Sequence, residues 1–249
     1  MTPKRERVRE MFGRVAARYD RLNSLLSLGL HHRWRRVAVR HCRFPPGGLA
    51  LDVAAGTGDF AIETIGADGR AVGVDPCAPM LAAGLPKLRE RGLDHRVQMV
   101  VGEAEHLPVA SNRFDCATIG FGLRNVTDVE ATFREMTRAV RPEGRVVALE
   151  ISRPRNPLFR PLFLFYFYRL SPWLARLFGG DPDAYTYLPN SVKTFYSREE
   201  LAEMMRRAGL VDVYWRDLSG GAVCLHVGTK PAETAGHTRS QGESLAIIR

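Results

Sequence analysis

The stretch Leu49-Ala50-Leu51-Asp52-Val53-Ala54-Ala55-Gly56-Thr57-Gly58-Asp59 constrains this chain more than any other. A short apolar run ending in a glycine-rich turn reads as a buried strand that feeds a helix. Glycines there open backbone conformations closed to other residues and let a ligand approach the main chain. The first amides of the following helix point the same way. The alternation then repeats. Residues 61–65 and 79–91 read as helices, and 71–74, 97–101, 114–119 and 145–151 as strands. Thr127 and Glu130 suit a capping box at the head of a helix whose apolar face carries Val129, Phe133, Met136 and Val140. Strands alternating with helices predict an α/β fold with a Rossmann-like, mostly parallel sheet covered on both faces.

The ends of the chain refine this picture. Val8, Met11, Phe12, Val15, Ala16 and Tyr19 recur at helical spacing, and a second helical pattern runs over 23–42 before Pro45-Pro46-Gly47-Gly48 breaks it. Residues 154–196 form an irregular, aromatic-rich segment. Ser197 and Glu200 make a second capping box. Runs 211–218 and 223–229, four residues apart, predict a terminal antiparallel hairpin. The expected layout is an N-terminal helical lid (1–45), a body (46–230) containing the 154–196 insertion, and a disordered tail (231–249).

Composition narrows the partners. Lys and Arg number 36 against 27 Asp and Glu, a formal charge of +9, which favours anionic surfaces. No nucleic-acid-binding motif accompanies the charge, so nucleic acid is not the expected partner. Cys42, Cys77, Cys116 and Cys224 lack the spacing of a metal site or a disulfide framework. With a charged rather than apolar N-terminal stretch, they predict free thiols, no metal and a cytoplasmic setting.

Gly56-x-Gly58-x-x-Ala61 satisfies a loose dinucleotide fingerprint, which keeps a nicotinamide oxidoreductase as a rival reading. Asp52 argues against it. A carboxylate four residues before Gly56 suits the cationic amino group of S-adenosylmethionine, whereas a pyrophosphate gains nothing from it. Asp75, at the end of the second strand, can accept both ribose hydroxyls or cap the next helix. Glu103 and Ala104 end the third strand, where an adenine would lie.

Three separated motifs carry a family resemblance over nearly the whole chain, to about Lys230. They are Tyr19-Asp20-Arg21-Leu22-Asn23 with Ser27, His31 and Trp34; Phe121-Gly122-Leu123-Arg124-Asn125-Val126; and Arg138-Ala139-Val140-Arg141-Pro142-Glu143-Gly144 continuing to Glu150-Ile151-Ser152. In these the chain resembles the ubiquinone/menaquinone biosynthesis C-methyltransferases. It departs from their pattern at Leu22 (usually Met), Arg141 (Lys) and Glu143 (Gly). The resemblance implies a class I S-adenosylmethionine methyltransferase fold. It also implies methyl transfer to a ring carbon of a polyprenylated quinol, either demethylmenaquinol or the equivalent benzoquinol. Cofactor contacts carry over to Thr57, Asp75, Glu103 and Ala104. Glu103 stands where the family often has Asn, and Gly120 where it has a contacting Ser. A methyltransferase acting on another small hydrophobic metabolite is the alternative.

Carbon methylation needs an electron-rich ring, hence a proton acceptor or a positive group near a phenolic oxygen. Arg124, just past the fourth strand, is expected to stabilise a phenolate, and Asn125 to orient a hydroxyl. His31 titrates in the range suited to accepting the proton. Tyr19 and Asn23, with Asp20, are expected to line the lid over the substrate, and Tyr185, Tyr187 and Tyr196 to complete the pocket. Residues 161–168, followed by Trp173, Leu174, Leu177 and Phe178 among arginines, are far shorter than the ~20 apolar residues of a membrane span. They suit either a peripheral membrane contact or core beneath the sheet. A homodimer is left open.

Overall fold

A seven-stranded sheet forms the middle of the computed structural model, which describes residues 3–171, 173 and 182–233. Its strands are β1 (Leu49–Val53), β2 (Arg70–Asp75), β3 (Val97–Val101), β4 (Phe114–Gly120), β5 (Val140–Ile151), β6 (Val211–Leu218) and β7 (Val223–Thr229). Their order is β3-β2-β1-β4-β5-β7-β6. The first five are parallel, β7 runs antiparallel between β5 and β6, and β6 pairs with β7 as the expected hairpin. The order reverses between β1 and β4. In open parallel sheets that switch point, at the carboxyl ends of the strands, opens the crevice in which ligands bind.

Nine helices surround the sheet among the described residues: α1 (Pro3–Val15), α2 (Tyr19–Leu26), α3 (Leu30–His41), α4 (Asp59–Thr64), α5 (Ala78–Glu90), α6 (Val129–Ala139), α7 (Phe159–Phe165), α8 (Pro182–Lys193) and α9 (Arg198–Arg207). Alternate residues of β1 serve the two faces, as a strand's period of two requires. Leu51 and Val53 pack with Phe133 and Met136 of α6 and Met205 of α9, while Ala50 packs with Ala38 of α3, Phe60 of α4 and Leu88 of α5.

Four expectations are corrected. Val140, expected on the apolar face of the helix after Thr127, instead begins β5, which starts five residues before the expected 145 because the chain turns extended directly after Ala139. The pattern over 23–42 is not one helix. Leu28 (φ 50°) and Gly29 (φ 72°) take left-handed conformations that end α2 and start α3. Gly29 N–H closes α2 on the Ser24 carbonyl at 2.8 Å. The cap of α6 is Asp128, whose carboxylate accepts from Ala131 N–H at 2.9 Å. Thr127 instead accepts from Arg5 Nε at 2.9 Å, a partner 122 residues away. The described residues of the aromatic-rich segment are largely helical, with α7 running into a wider π-type turn at Tyr166–Leu170. The capping box of Ser197 and Glu200 forms as expected.

Candidate active site

The turn after β1 is held by backbone geometry. Ala54 (φ 53°) and Gly56 (φ 55°) lie in the left-handed region, and Gly58 (φ 79°) precedes α4. Its φ strains any side chain, and a Cβ there would also push Met99 Cε, 2.8 Å away, aside. Helix α5 crosses this turn at Gly84, where a Cβ would fall 2.5 Å from the Thr57 carbonyl oxygen.

Three acids end successive strands above the turn. Asp52 is 1% exposed. It accepts from Ala61 N–H at 3.0 Å and from the Thr118 hydroxyl at 3.1 Å. Burial pushes its carboxyl up to about 7, against those hydrogen bonds. Both of its hydrogen-bond donors among the described residues are neutral, and with Arg35 only near enough to act through space, the buried carboxylate suits a further cation. Asp75 accepts from Gly56 N–H and from Cys77 N–H, both at 2.8 Å. It therefore ties the glycine turn to the head of α5, and each oxygen keeps a lone pair for a hydroxyl. Burial raises its carboxyl as well. Glu103 faces Arg5 at 3.9 Å, and Ala104 is buried beside it.

Two clefts open here and share a wall of Tyr19, Ala54, Gly56, Gly120 and Phe121. The smaller, about 800 Å³, is lined by Asp75, Met80, Glu103, Ala104 and Asn125. The larger, about 1140 Å³, holds Asp52, Thr57, His31 and Arg124 against Trp34 and Phe163. Phe121, in the dividing wall, has φ 58°, an unusual conformation for a bulky residue.

Within the large cleft, Arg124 is not free. Its Nη1 bonds the Glu150 carboxylate, whose other oxygen accepts from Arg124 N–H at 3.3 Å. Both side chains are buried, and Arg124 Nε has no partner among the described residues. The arginine thus keeps a donor for a ligand, while Glu150 balances its charge. His31 is 4% exposed and its Nδ1 lies 2.6 Å from Ser27 Oγ. Burial, with Arg35 and His32 nearby, lowers its pKa to about 4. Asn23 lines the cleft beside it.

The remaining expected residues are less central. Asn125 lies in the smaller cleft, where its Oδ1 accepts from Tyr187 Oη at 3.1 Å and its Nδ2 reaches the Phe121 carbonyl. It is therefore not grouped with His31 and Arg124. Gly58 lines neither cleft and serves the turn alone. Tyr196, 46% exposed, lies in a separate polar groove with Arg153 and Ser197, away from both clefts. The Tyr185 side chain and residues 174–178 lie outside the described residues.

A charged network absent from the sequence reading joins the roof to the turn. Thr57 Oγ1 donates to Asp20 of α2 at 2.7 Å, and Lys87 of α5 donates to Asp20 at 2.9 Å and to Asp59. Arg35 of α3 reaches Asp59 at 2.7 Å. Burial works against the Asp59 carboxylate, but Arg35 and Lys87 outweigh it and hold its pKa below the usual range. Farther along, Arg5 pairs with Glu105 at 2.6 Å, and Glu105 accepts from Thr127 N–H at 2.8 Å. Glu150 was also missed, although it ends β5 as Asp52 and Asp75 end β1 and β2. The rule that singled out those two acids applies equally to it.

Two positions at which the chain departs from the pattern it resembles have distinctive local geometry. A Cβ at Gly120 would lie 2.5 Å from the Phe60 ring, which leaves little room for the serine that the resemblance implies there. Glu143 adopts φ 63°, the conformation for which glycine is suited.

The sheet order, the terminal hairpin and a glycine turn flanked by strand-end acids define a methyltransferase of the Rossmann-like class. A SAM-dependent methyltransferase of Thermotoga maritima shares this architecture, with a TM-score of 0.58, 22% identity, and 89% of this chain and 98% of that one covered. The sequence model of the ubiE/COQ5 methyltransferase family matches residues 1–230, and the chain belongs to that family. A demethylmenaquinone methyltransferase of Roseiflexus sp. is 48% identical over 229 residues, 91% of this chain and 94% of its own. A ubiquinone/menaquinone biosynthesis C-methyltransferase of Cellvibrio japonicus is 38% identical over 231 residues, 92% of this chain and 93% of its own.

Proposed function

We propose that this protein transfers a methyl group from S-adenosylmethionine to a ring carbon of a polyprenylated quinol, demethylmenaquinol or its benzoquinol counterpart. The observation that carries the reading is the pair of clefts meeting at Tyr19, Ala54, Gly56, Gly120 and Phe121. The smaller, with Asp75, Glu103 and Glu105, suits a nucleoside; the larger, with Trp34, Phe163 and Phe167 as well as Asp52 and Thr57, suits a quinol beside the cofactor's amino-acid end. Family membership supports the same chemistry.

Asp75 would hold the ribose, Glu103 and Ala104 the adenine, and Asp52 the amino group, with Gly56 and Thr57 beside the amino-acid portion. When bound, the cofactor supplies an electrophilic methyl on a sulfonium. The protein's own part is to place the ring and exclude water. Trp34, Phe121, Phe163 and Phe167 line a largely apolar cleft, in which charge interactions strengthen. Arg124 donates to the phenolic oxygen, and Glu150 fixes its fork. Residues 1–45 act as the lid, fastened through Arg5 and Asp20.

The isoprenoid tail leaves along α7. Phe163 of this helix, with Tyr166 and Phe167 just after it, lines the cleft, while Leu158, Leu162, Phe165 and Trp173 are exposed nearby. Arg160 and Arg169 lie among them, so this surface rests on an anionic bilayer as a peripheral contact. No helix among the described residues is long and apolar enough to cross a membrane.

The test is mass analysis of quinols after incubation with S-adenosylmethionine carrying a labelled methyl. Label on the ring carbon is expected. Label on another metabolite and none on the quinol overturns the substrate assignment. Stabilisation by S-adenosylhomocysteine but not by NADH separates the two cofactor classes.

A further inference from the structure

We infer that Ser27 sets His31 in one tautomer, so that His31 Nε2 is the acceptor of the substrate's hydroxyl proton. This rests on the quinol methylation proposed above. Ser27 Oγ lies 2.6 Å from the Asn23 carbonyl oxygen and 2.6 Å from His31 Nδ1. Two oxygens that close need a proton between them, and a carbonyl has none to give. The Ser27 hydroxyl therefore donates to Asn23. Its oxygen is left to accept, and His31 Nδ1 must carry the donating proton. A neutral imidazole protonated at Nδ1 has its lone pair on Nε2.

That atom is buried and has no hydrogen-bond partner among the described residues. The ring lines the large cleft together with Asn23, Ser27 and Arg124. A buried orphan acceptor is costly unless something meets it, and a phenolic hydroxyl supplies the missing donor. Four ionisable groups face the ring. Arg35 and His32 on its own helix disfavour its charge, while Asp59 of α4 and Asp20 of α2 favour it. Burial adds to the first pair and keeps the ring neutral through physiological pH.

The hydroxyl proton passes to Nε2 as the ortho carbon bonds the methyl, and the electrons of the broken S–CH3 bond stay on sulfur. The methylated carbon then gives its proton to a water molecule, His31 returns the one it holds to the oxygen, and the carbon's proton leaves as hydronium, one per turnover. A weak base suffices, because the hydroxyl becomes strongly acidic as the carbon takes the methyl.

His31→Asn tests this directly, since its amide N–H can still face Ser27 while Nε2 is gone. With a short-chain demethylmenaquinol and saturating cofactor, kcat should fall about 100-fold or more, and S-adenosylhomocysteine affinity should hold within about threefold. Added imidazole should restore about tenfold of the loss in His31→Ala. Ser27→Ala should lower kcat about tenfold with KM unchanged, and Ser27→Thr should recover it. Nitrogen NMR of the ring should show Nδ1–H from pH 6 to 9 in the wild type, and a mixture in Ser27→Ala. A His31→Asn variant within threefold of wild-type kcat overturns the inference. So does a wild-type ring protonated at Nε2, or a wild-type kcat rising tenfold per pH unit up to pH 9, the mark of free phenolate. If the wild type methylates no quinol, the function proposed above fails, and with it the proton transfer. The ring's tautomer still decides the Ser27 arrangement.

Discussion

The glycine turn and the N-terminal roof enclose the same site by different means. The turn is held by backbone: left-handed φ at Ala54, Gly56 and Gly58, and amides bonded to Asp52 and Asp75. The roof is held by side chains: Arg5 on Glu105, Asp20 on Thr57 and Lys87, Arg35 on Asp59, and Tyr166 Oη on the Leu26 carbonyl at 2.5 Å. Backbone restraints are stiff and short-ranged. Partly exposed ion pairs each contribute only about 0–1 kcal/mol and can exchange partners. A rigid floor under a detachable roof suits a site that must hold one ligand in fixed geometry and admit another.

The contrast breaks most sharply at the floor. Gly56→Val places a β-branched side chain at φ 55°, with its Cβ 3.2 Å from Met80 Cε. S-adenosylhomocysteine affinity should drop ~100-fold or more, measured by calorimetry, because such a conformation is nearly closed to valine. An unchanged affinity would show that the turn does not form the cofactor site.

Asp52→Asn comes next. In the wild type the folded protein holds this proton to about 7, above the ordinary carboxylate value of 3.8. The folded state therefore binds more protons than the unfolded chain between those values, and stability falls as pH rises through that window. The ligand-free variant should be more stable than wild type at pH 8, by a few kcal/mol at most, and equal to it near pH 4. The same variant should lose stabilisation by S-adenosylhomocysteine. A ligand-free melting temperature lower than wild type at pH 8 would contradict the assigned burial.

Gly120→Ser probes close packing at the dividing wall. The Phe60 contact at 2.5 Å predicts a loss of about 1–3 kcal/mol in denaturant unfolding. Phe60→Leu should relieve much of it in the double variant. Simple additivity of the two losses would show that the ring and the new side chain do not collide.

The roof should respond least. Lys87→Met removes the cation shared by Asp20 and Asp59, and should cost about 1 kcal/mol while speeding ligand release several-fold in stopped flow. Arg5→Ala should cost about the same or less, because only one end of its pair with Glu105 is buried. A roof variant with a larger effect than Gly56→Val would invert the comparison.

Much of the floor was legible in the sequence. Asp52 and Asp75 stood near strand ends, four residues before Gly56 and two after Gly73, and short apolar runs bounded by turns located β1 to β4 within a residue or two. The roof was less legible. The helical pattern over 23–42 hid the break at Leu28, because Leu28 itself is apolar yet exposed. Thr127 looked like a cap because its spacing to Glu130 was right, but Asp128 next to it won the position. Tyr196 was one of several aromatic residues in an aromatic segment, and nothing local separated those facing the cleft from those facing solvent.

The sequence by itself determined the sheet, the turn and the acids that edge the two clefts. Those depend on glycine's conformational freedom and on alternation over a few residues. Only the tertiary structure decided that Glu150 holds Arg124, that Lys87 bridges Asp20 and Asp59 across 67 and 28 positions, and that Tyr187 reaches Asn125. Ion pairs and hydrogen bonds between distant segments exist only once hydrophobic packing has brought their helices together, and no local pattern records which side chains will then meet.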